Sequence, residues 1–297
     1  MGATSHKHHY IPQFYLRNFC RPDGTFEVYD KKYSHFKSGP QSPATVFFAK
    51  NRNTIRRNGM KTDAIEKIYA ELETTYSQLF GIVNNGVDQF ALLNADGISI
   101  LRKYLAIQFW RLPILDEFAE HFMLSRTLDE IEQYCQVAMP PLTHNEVFER
   151  IKKDGGFRYF FRCFVLPLCT FKLDGQLPDN IRWVILDVDK ANGWSNILCS
   201  DTPFIFKNPE KLFNFSGTFI FPLSNTKLLV SKNRSDINLS LDPIFSTKMA
   251  VYFFLQADRY IVATDRDYLE KIIEFSKLYE GAAGFSKLQN EVFEFIE

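Results

Sequence analysis

Hydrophobic positions recur at helical spacing through the middle of the chain. Beyond Asp63, three- and four-residue intervals separate Ile65, Ile68, Tyr69, Leu72, Tyr76, Leu79 and Phe80. That stripe predicts an amphipathic helix. From Gly97 to Leu112 the apolar residues lie nearly all round the predicted helix, so we expect it to be buried, with Asp96 as its N-cap.

Helical patterns continue to Phe171, and the character of the chain then changes. Thr143 and Glu146 have the spacing of a capping box. Residues 172–180 form a linker rich in Pro, Gly and Asp. From Ile181 onward, short β-branched and aromatic segments alternate with turn residues, which predicts an antiparallel sheet.

These patterns predict an α+β fold. It has a mainly helical central part, an antiparallel β-rich C-terminal third and a small N-terminal β element. We expect one compact domain over 1–297. Its sub-regions are a β element and loop over 1–60, helices over 61–171, and a mixed sheet with helices over 180–297.

The N-terminal segment His6–Phe19, HKHHYIPQFYLRNF, concentrates imidazoles and aromatic rings. Pro12 biases the residue before it toward an extended conformation, and in an extended segment alternate side chains share a face. His8 and Tyr10 therefore belong to one face and His9 to the other. Three interpretations stay open: a buried plug whose imidazoles bond to the backbone, a catalytic or metal-binding role for His8 or His9, or a remnant tag.

The net charge of the chain is zero, but one segment is locally basic. Lysine plus arginine equals aspartate plus glutamate, 35 of each, so nothing draws the chain generally to nucleic acid or to membranes. Residues 51–61 nevertheless carry Arg52, Arg56, Arg57 and Lys61. This segment is either a solvated loop or a loop that contacts phosphate.

Cysteine usage and hydropathy indicate the compartment. Five cysteines are scattered without a CxxC pair, which is typical of reduced thiols in the cytosol. The most apolar run, 157–171, is shorter than the roughly 20 residues that a membrane span needs. We expect a soluble cytoplasmic protein without a signal peptide or a membrane partner.

Three further places put polar residues among apolar ones, which is costly unless those residues are paired or used. They are Glu66 with Glu73 in the first long helix, Gln108 with Arg111 in QFWRLP, and Ser200-Asp201 in CSDTPF. Each has a structural explanation: Arg111 can neutralise a carboxylate, and Asp201 can cap a turn. Histidine, carboxylate and arginine together are also what phosphodiester hydrolysis requires.

Four motifs in fixed order carry a resemblance: HKHHYIPQFYLRNF, QFWRLP, CSDTPF and FPLS. With them the chain resembles the bacterial domain-of-unknown-function family 4238. Cys199, Thr202 and Asn225 depart from the residues usual in that family's last two motifs. The resemblance transfers no activity. It implies motif positions for His8, His9, Tyr10, Arg111, Ser200 and Asp201.

The first functional hypothesis is a metal- or histidine-assisted phosphodiester hydrolase, for example a nuclease in bacterial defence or a toxin. A divalent metal (Mg, Mn or Zn) would be held by His8 and Asp201, and the partner would be nucleic acid or a nucleotide. The roles are ligand or base for His8 and His9, carboxylate partners for Glu73 and Asp201, and phosphate clamp for Arg111. Tyr10, Gln108 and Ser200 complete the candidate catalytic set.

The second hypothesis is a non-enzymatic module that binds a ligand or a protein. Here the same residues form a buried His/Arg/Asp network that orders a pocket, and whether the chain is an enzyme stays open. The catalytic hypothesis depends on His8, Arg111 and Asp201 meeting in one place.

Overall fold

A computed structural model describes residues 6–57, 60–84, 93–133, 141–171, 177, 179, 181–187, 196–208, 215–233 and 243–296. Its strands, β1 to β12 in chain order, are Lys7–His9, Glu27–Asp30, His35–Phe36, Phe48–Lys50, Ile55–Arg57, Met60–Thr62, Ile181–Asp187, Cys199–Ser200, Ile205–Phe206, Phe219–Pro222, Lys227–Asn233 and Tyr260–Ala263. Its α-helices, α1 to α11, are Gln13–Leu16, Ala64–Asn84, Ala95–Arg111, Asp116–Ser125, Leu128–Glu132, His144–Lys153, Gly155–Phe160, Leu166–Thr170, Pro243–Gln256, Arg266–Ser276 and Gly281–Ile296. The predicted α+β class is confirmed.

The chain divides into two compact units, each assembled from three separate stretches. The first comprises residues 1–10, 48–76 and 98–175, and the second comprises 11–47, 77–97 and 176–297. The predicted sub-regions instead follow the order of the chain. The organisation as one domain stays a prediction.

The first unit combines two short strand pairs with helices. β1 pairs antiparallel with β4, and β5 pairs with β6. Residues 64–76 of α2 pack on the segment after α7, where Ile65 and Tyr69 meet Cys163 in a buried apolar cluster.

A π-helix, Phe161–Val165, interrupts the last helical run of this unit. Pro167 follows it and has no N–H to donate to the carbonyl of Cys163, which its ring would also crowd. A wider π turn directly before the proline accommodates both effects. The predicted apolar helix over 157–171 is therefore helical throughout but not uniform.

The second unit contains two four-stranded antiparallel sheets, in the orders β7-β11-β10-β9 and β3-β2-β12-β8. The second sheet pairs a strand from the start of the chain with one near its end, since Val28 lies opposite Val262. Both of these valines are buried. Helices α9, α10 and α11 complete the unit.

Of the two helix N-termini predicted from capping residues, one agrees with the structure and one does not. The capping box of Thr143 and Glu146 is confirmed. The predicted N-cap at Asp96 is wrong: α3 begins at Ala95, and the side chain of Asn94 accepts the N–H of Gly97 at 2.9 Å. Asn94 is the better N-cap because its side chain reaches the third N–H of the helix from the position before the first helical residue.

Two further predictions concern the linker and membrane spans. Most of the linker predicted at 172–180 lies outside the described residues. Among the helices that the structure describes, none combines the length and hydropathy needed to cross a bilayer.

Candidate functional site

The candidate site begins at His8, in the middle of β1. The register places it opposite Ala49 of β4, and its side chain is completely buried. Its Nδ1 accepts the backbone N–H of Asn53 at 2.7 Å. An imidazole nitrogen that accepts carries no proton, so the neutral ring of His8 holds its proton on Nε2.

Asn53 connects three elements through its side chain. Its amide nitrogen donates to Oε1 of Glu66 in α2, and its carbonyl oxygen accepts the hydroxyl of Tyr159 in α7 at 2.8 Å. Only 2% of Asn53 is exposed. Its backbone and side chain thus tie His8 to two helices.

Arg111, the last residue of α3, has a side chain that is 5% exposed. Its Nη1 donates to Oε1 of Glu73 at 2.7 Å, and its guanidinium carbon lies 4.1 Å from the centre of the Tyr69 ring. Burial lowers the pKa of Arg111, but Glu73, Tyr69 and Glu66 outweigh it, and the pKa rises above its usual value. The arginine is therefore held as a cation between two carboxylates and an aromatic face.

Gln108 lies one helical turn before Arg111 and links α3 to the N-terminal segment. Its Nε2 donates to the backbone carbonyl of Tyr10 at 3.0 Å. Tyr10 is thus linked to Gln108 through its main chain. His9 packs beside Phe48, with the two ring centres 5.7 Å apart.

A second polar network, whose two arginine side chains are no more than 10% exposed, holds the C-terminal end of α3. Nη1 and Nη2 of Arg52 donate to the carboxylate of Asp116, at 2.8 and 2.6 Å. Arg162 on the π-helix donates to the same carboxylate at 2.6 Å and to the carbonyls of Trp110 and Leu112. Burial alone raises the pKa of Asp116, but the two arginines hold it below its usual value.

Ser200 and Asp201 belong to the second unit, where they make hydrogen bonds with its backbone. Ser200 is completely buried in β8 and lies opposite Ile261 of β12. Oδ1 of Asp201 accepts the N–H of Asp258 at 2.9 Å, and Oδ2 accepts those of Arg259 and Tyr260 at 2.7 and 2.9 Å. The carboxylate thus fixes the chain between α9 and β12.

Burial raises the pKa of Asp201 to about 6, against the three N–H donors, which lower it. The same junction is held from a second side. Nζ of Lys31 donates to the carbonyls of Phe254, Leu255 and Ala257, at 2.9, 3.0 and 2.7 Å. These are carbonyls at the end of α9, where a helix lacks internal donors.

The model of the family described as "Protein of unknown function (DUF4238)" matches residues 7–155, half of the chain. The chain belongs to the DUF4238 family. The DUF4238 segment contains His8, Asn53, Glu66, Glu73, Gln108 and Arg111. Asp201 and the FPLS motif lie beyond it. No curated protein and no solved structure matches the chain.

The structure brings together five of the eight predicted site residues: His8, Tyr10, Glu73, Gln108 and Arg111 belong to one unit and form its buried polar contacts or adjoin them. His9 lies in the same strand as His8. Ser200 and Asp201 belong to the other unit. The convergence of His8, Arg111 and Asp201 stays a prediction.

A metal held by His8 and Asp201 also stays a prediction. Within the described ranges, no three or more His, Cys, Asp and Glu side chains come together in a way that could hold a metal ion. His8 would have to give up the hydrogen bond from Asn53 or its Nε2 proton to act as a ligand, because a ligating nitrogen needs a free lone pair.

Sequence reasoning missed Asn53, Tyr159 and the group formed by Arg52, Asp116 and Arg162. Asn53 gave no signal because it stands in a polar loop, where an asparagine is the expected residue. Arg162 gave one: a cation inside the most apolar run of the chain needs a buried partner.

Proposed function

We propose that the chain is a non-enzymatic binding module whose buried polar network holds a binding surface in shape. The observation that carries this proposal is that the main polar contacts of the network are made within the protein, while Nε of Arg111 and Oε1 of Gln108 are buried without a hydrogen-bond partner among the described residues. His8 accepts from Asn53, Asn53 donates to Glu66, and Arg111 donates to Glu73. Groups used in this way stabilise a structure and are poor reagents, since reacting would break those bonds.

The burial of His8 also favours a structural role over a catalytic one. A general base must come within hydrogen-bonding reach of its substrate's proton. His8 is 0% exposed, and its Nδ1 is already occupied. Arg111 faces a similar limit as a phosphate clamp, because its charge is already compensated by Glu73 and Glu66.

A ligand screen tests the proposal. We expect a nucleotide, an oligonucleotide or a protein ligand to raise the melting temperature of the full chain, and we expect the ligand to leave unchanged. Thermal shift with parallel product analysis measures both. Catalytic turnover of any stabilising ligand, lost in Arg111→Lys while the fold is kept, contradicts a purely binding role.

The second candidate is the phosphodiester hydrolase, with a divalent metal such as Mg, Mn or Zn as its cofactor. The observation that favours it is the partial exposure of Glu73, whose side chain is 27% exposed beside Arg111. A phosphate approaching from that side could exchange with the carboxylate at the guanidinium, where bidentate pairing is favourable. His9, Tyr10, Gln108 and Ser200 remain candidate catalytic residues in this scheme.

Plasmid and RNA cleavage, with and without each metal, tests the second candidate. We expect cleavage that is lost in Glu73→Gln, which keeps a hydrogen-bond acceptor for Arg111 and should still show the circular dichroism of a folded protein. Intact substrate under all conditions, with a folded protein, removes this candidate and leaves the binding module.

A further inference from the structure

The two short strand pairs of the first unit carry a surplus of positive charge. Residues 48–62, which include β4, β5 and β6, contain Lys50, Arg52, Arg56, Arg57 and Lys61 and no acidic residue. β1 adds Lys7. Because the whole chain is neutral, this surplus is a local concentration of charge.

The strand registers place like charges opposite each other. Lys7 lies opposite Lys50 in the β1–β4 pair, and Arg56 lies opposite Lys61 in the β5–β6 pair. Directly opposed residues of an antiparallel pair are about 5 Å apart at Cβ, and like charges there are destabilising. A bound anion would remove that repulsion from the β1–β4 pair.

Of these cations, Arg52 is already used inside the unit, since it is bidentate to Asp116. Lys7, Lys50 and Lys61 are exposed. In the part of the chain that the structure describes, Lys50 and Lys61 join no ion pair. The positive charge therefore faces solvent without neutralisation at those two lysines.

An aromatic ring accompanies the charge. Phe48 is half-buried on β4, and Nζ of Lys7 lies 4.9 Å from the centre of its ring. A lysine beside an aromatic ring combines the two contacts with which proteins hold nucleic-acid strands, since cations bind phosphates and rings stack on bases. An acidic peptide or a lipid surface has no bases to stack on the ring of Phe48.

The two strand pairs also lie close along the chain. The turn between them is closed by the N–H of Thr54, which donates to the carbonyl of Asn51 at 3.1 Å. Lys50 in β4 and Arg56 in β5 are six positions apart along the chain, which limits their Cα distance to roughly 20 Å. A duplex carries one charge per about 1.7 Å of its axis, so several phosphates fall within this span.

The buried network maintains this arrangement from the inside. His8 and Lys7 are neighbours in β1; His8 is buried and Lys7 is exposed. The backbone N–H of Asn53, in the turn between the strand pairs, donates to His8. The inward contacts therefore fix the strands that present the cations.

We propose that the strand pairs β1–β4 and β5–β6 bind the phosphate backbone of nucleic acid through the exposed lysines Lys7, Lys50 and Lys61. This inference rests on the proposed binding module and gives its ligand class. Since the contacts are to phosphate, binding depends on charge and salt and does not read base sequence.

Fluorescence anisotropy with labelled duplex DNA and single-stranded RNA of mixed sequence tests the proposal. With about three phosphates neutralised, we expect affinity for duplex DNA to fall roughly 40-fold between 50 and 200 mM salt. The double variant Lys50→Glu/Lys61→Glu should bind at least about tenfold more weakly at low salt. Lys50→Gln/Lys61→Gln should give an intermediate loss.

The matched control is Lys153→Glu/Lys277→Glu, which changes the net charge equally at two exposed lysines outside the strand pairs. We expect its affinity to stay within about twofold of the unaltered chain, because exposed ion pairs contribute little. Circular dichroism checks that each variant is folded.

Four results overturn the inference: no binding at low salt, no salt dependence, equal losses in the two charge-reversal variants, or binding to anionic vesicles with the same dependence on Lys50 and Lys61. In each case a ligand found by the thermal-shift screen would still support the binding module. Conversely, cleavage of the bound strand would contradict the proposal that the module is non-enzymatic. The proposed phosphate contacts would still stand.

Discussion

The two units each bury a charged residue at a motif position, and they compensate it by different means. In the first, Arg111 meets the carboxylates of Glu73 and Glu66. In the second, both oxygens of Asp201 accept backbone N–H groups. The carboxylates raise the pKa of the arginine above its usual value, whereas burial of the aspartate outweighs its amide donors and raises its pKa to about 6.

The difference shows that a charged residue in apolar surroundings has no single meaning. Arg111 links helices that are distant in sequence, so it determines how elements pack. Asp201 links its β8–β9 loop to one junction of the backbone and determines the path of the chain there. Four predictions follow from this contrast, in order of decreasing effect.

Arg111→Ala should lower the free energy of unfolding by about 3–5 kcal/mol, because it breaks the ion pair of a buried arginine and leaves a cavity beside Tyr69. Urea denaturation followed by circular dichroism measures the change. Arg111→Lys is the matched control and should lose less, since it keeps the charge. A loss below about 1 kcal/mol in Arg111→Ala would mean that the ion pair is solvated in solution.

The stability difference between the unaltered chain and Asp201→Asn should shrink as the pH rises. Folding raises the pKa of Asp201 from 3.8 to about 6, so the folded state binds more protons between these values. The resulting stabilisation is complete below about pH 4 and is lost as the pH rises through 6, by roughly 3 kcal/mol.

Urea denaturation of both proteins at pH 4, 5, 6 and 7 checks the sign. A difference that grows with pH instead would show that the three N–H donors outweigh burial and lower the pKa of Asp201 below 3.8.

His8→Ala should lower the free energy of unfolding by about 2–3 kcal/mol, since it removes a buried ring and leaves the N–H of Asn53 without its acceptor. His6→Ala is the control: His6 is exposed, and its loss should change stability by less than about 0.5 kcal/mol. Thermal melts of both variants decide the point. Full stability of His8→Ala with loss of ligand binding would assign His8 to function.

Asp258→Asn should have the smallest effect, a fall of a few tenths in the pKa of Asp201. The charge of Asp258 raises that pKa, and Asp258 is exposed, so its removal perturbs little else. Carbon-detected NMR titration of the carboxyl group measures it. An unchanged pKa would indicate that the two carboxylates do not interact.

Much of the fold could be read from local patterns. The stripe from Ile65 to Phe80 predicted α2, and the apolar surround of Gly97–Leu112 predicted α3 to within about two residues. Short segments after Ile181 predicted the strands. These signals are local because helical periodicity, turn residues and caps act within a few residues of the chain.

The candidate site could be predicted only in part from the sequence. A buried arginine needs a carboxylate, and Glu73 was named beforehand as a carboxylate partner. That Glu73 meets Arg111, and that Asn53 rather than a charged residue holds His8, depends on side chains that approach from 38 and 45 residues away. No spacing in the sequence encodes such distances.

The sequence by itself determined the elements, their class and the residues that have to be compensated, because hydrophobic period and the cost of burying charge are properties of the residues. Tertiary structure decided which partner each charge found and which strands paired, as with Val28 and Val262. Those choices depend on the closure of long loops and on packing between distant segments, whose free energy is shared by the whole fold and not written at any one position.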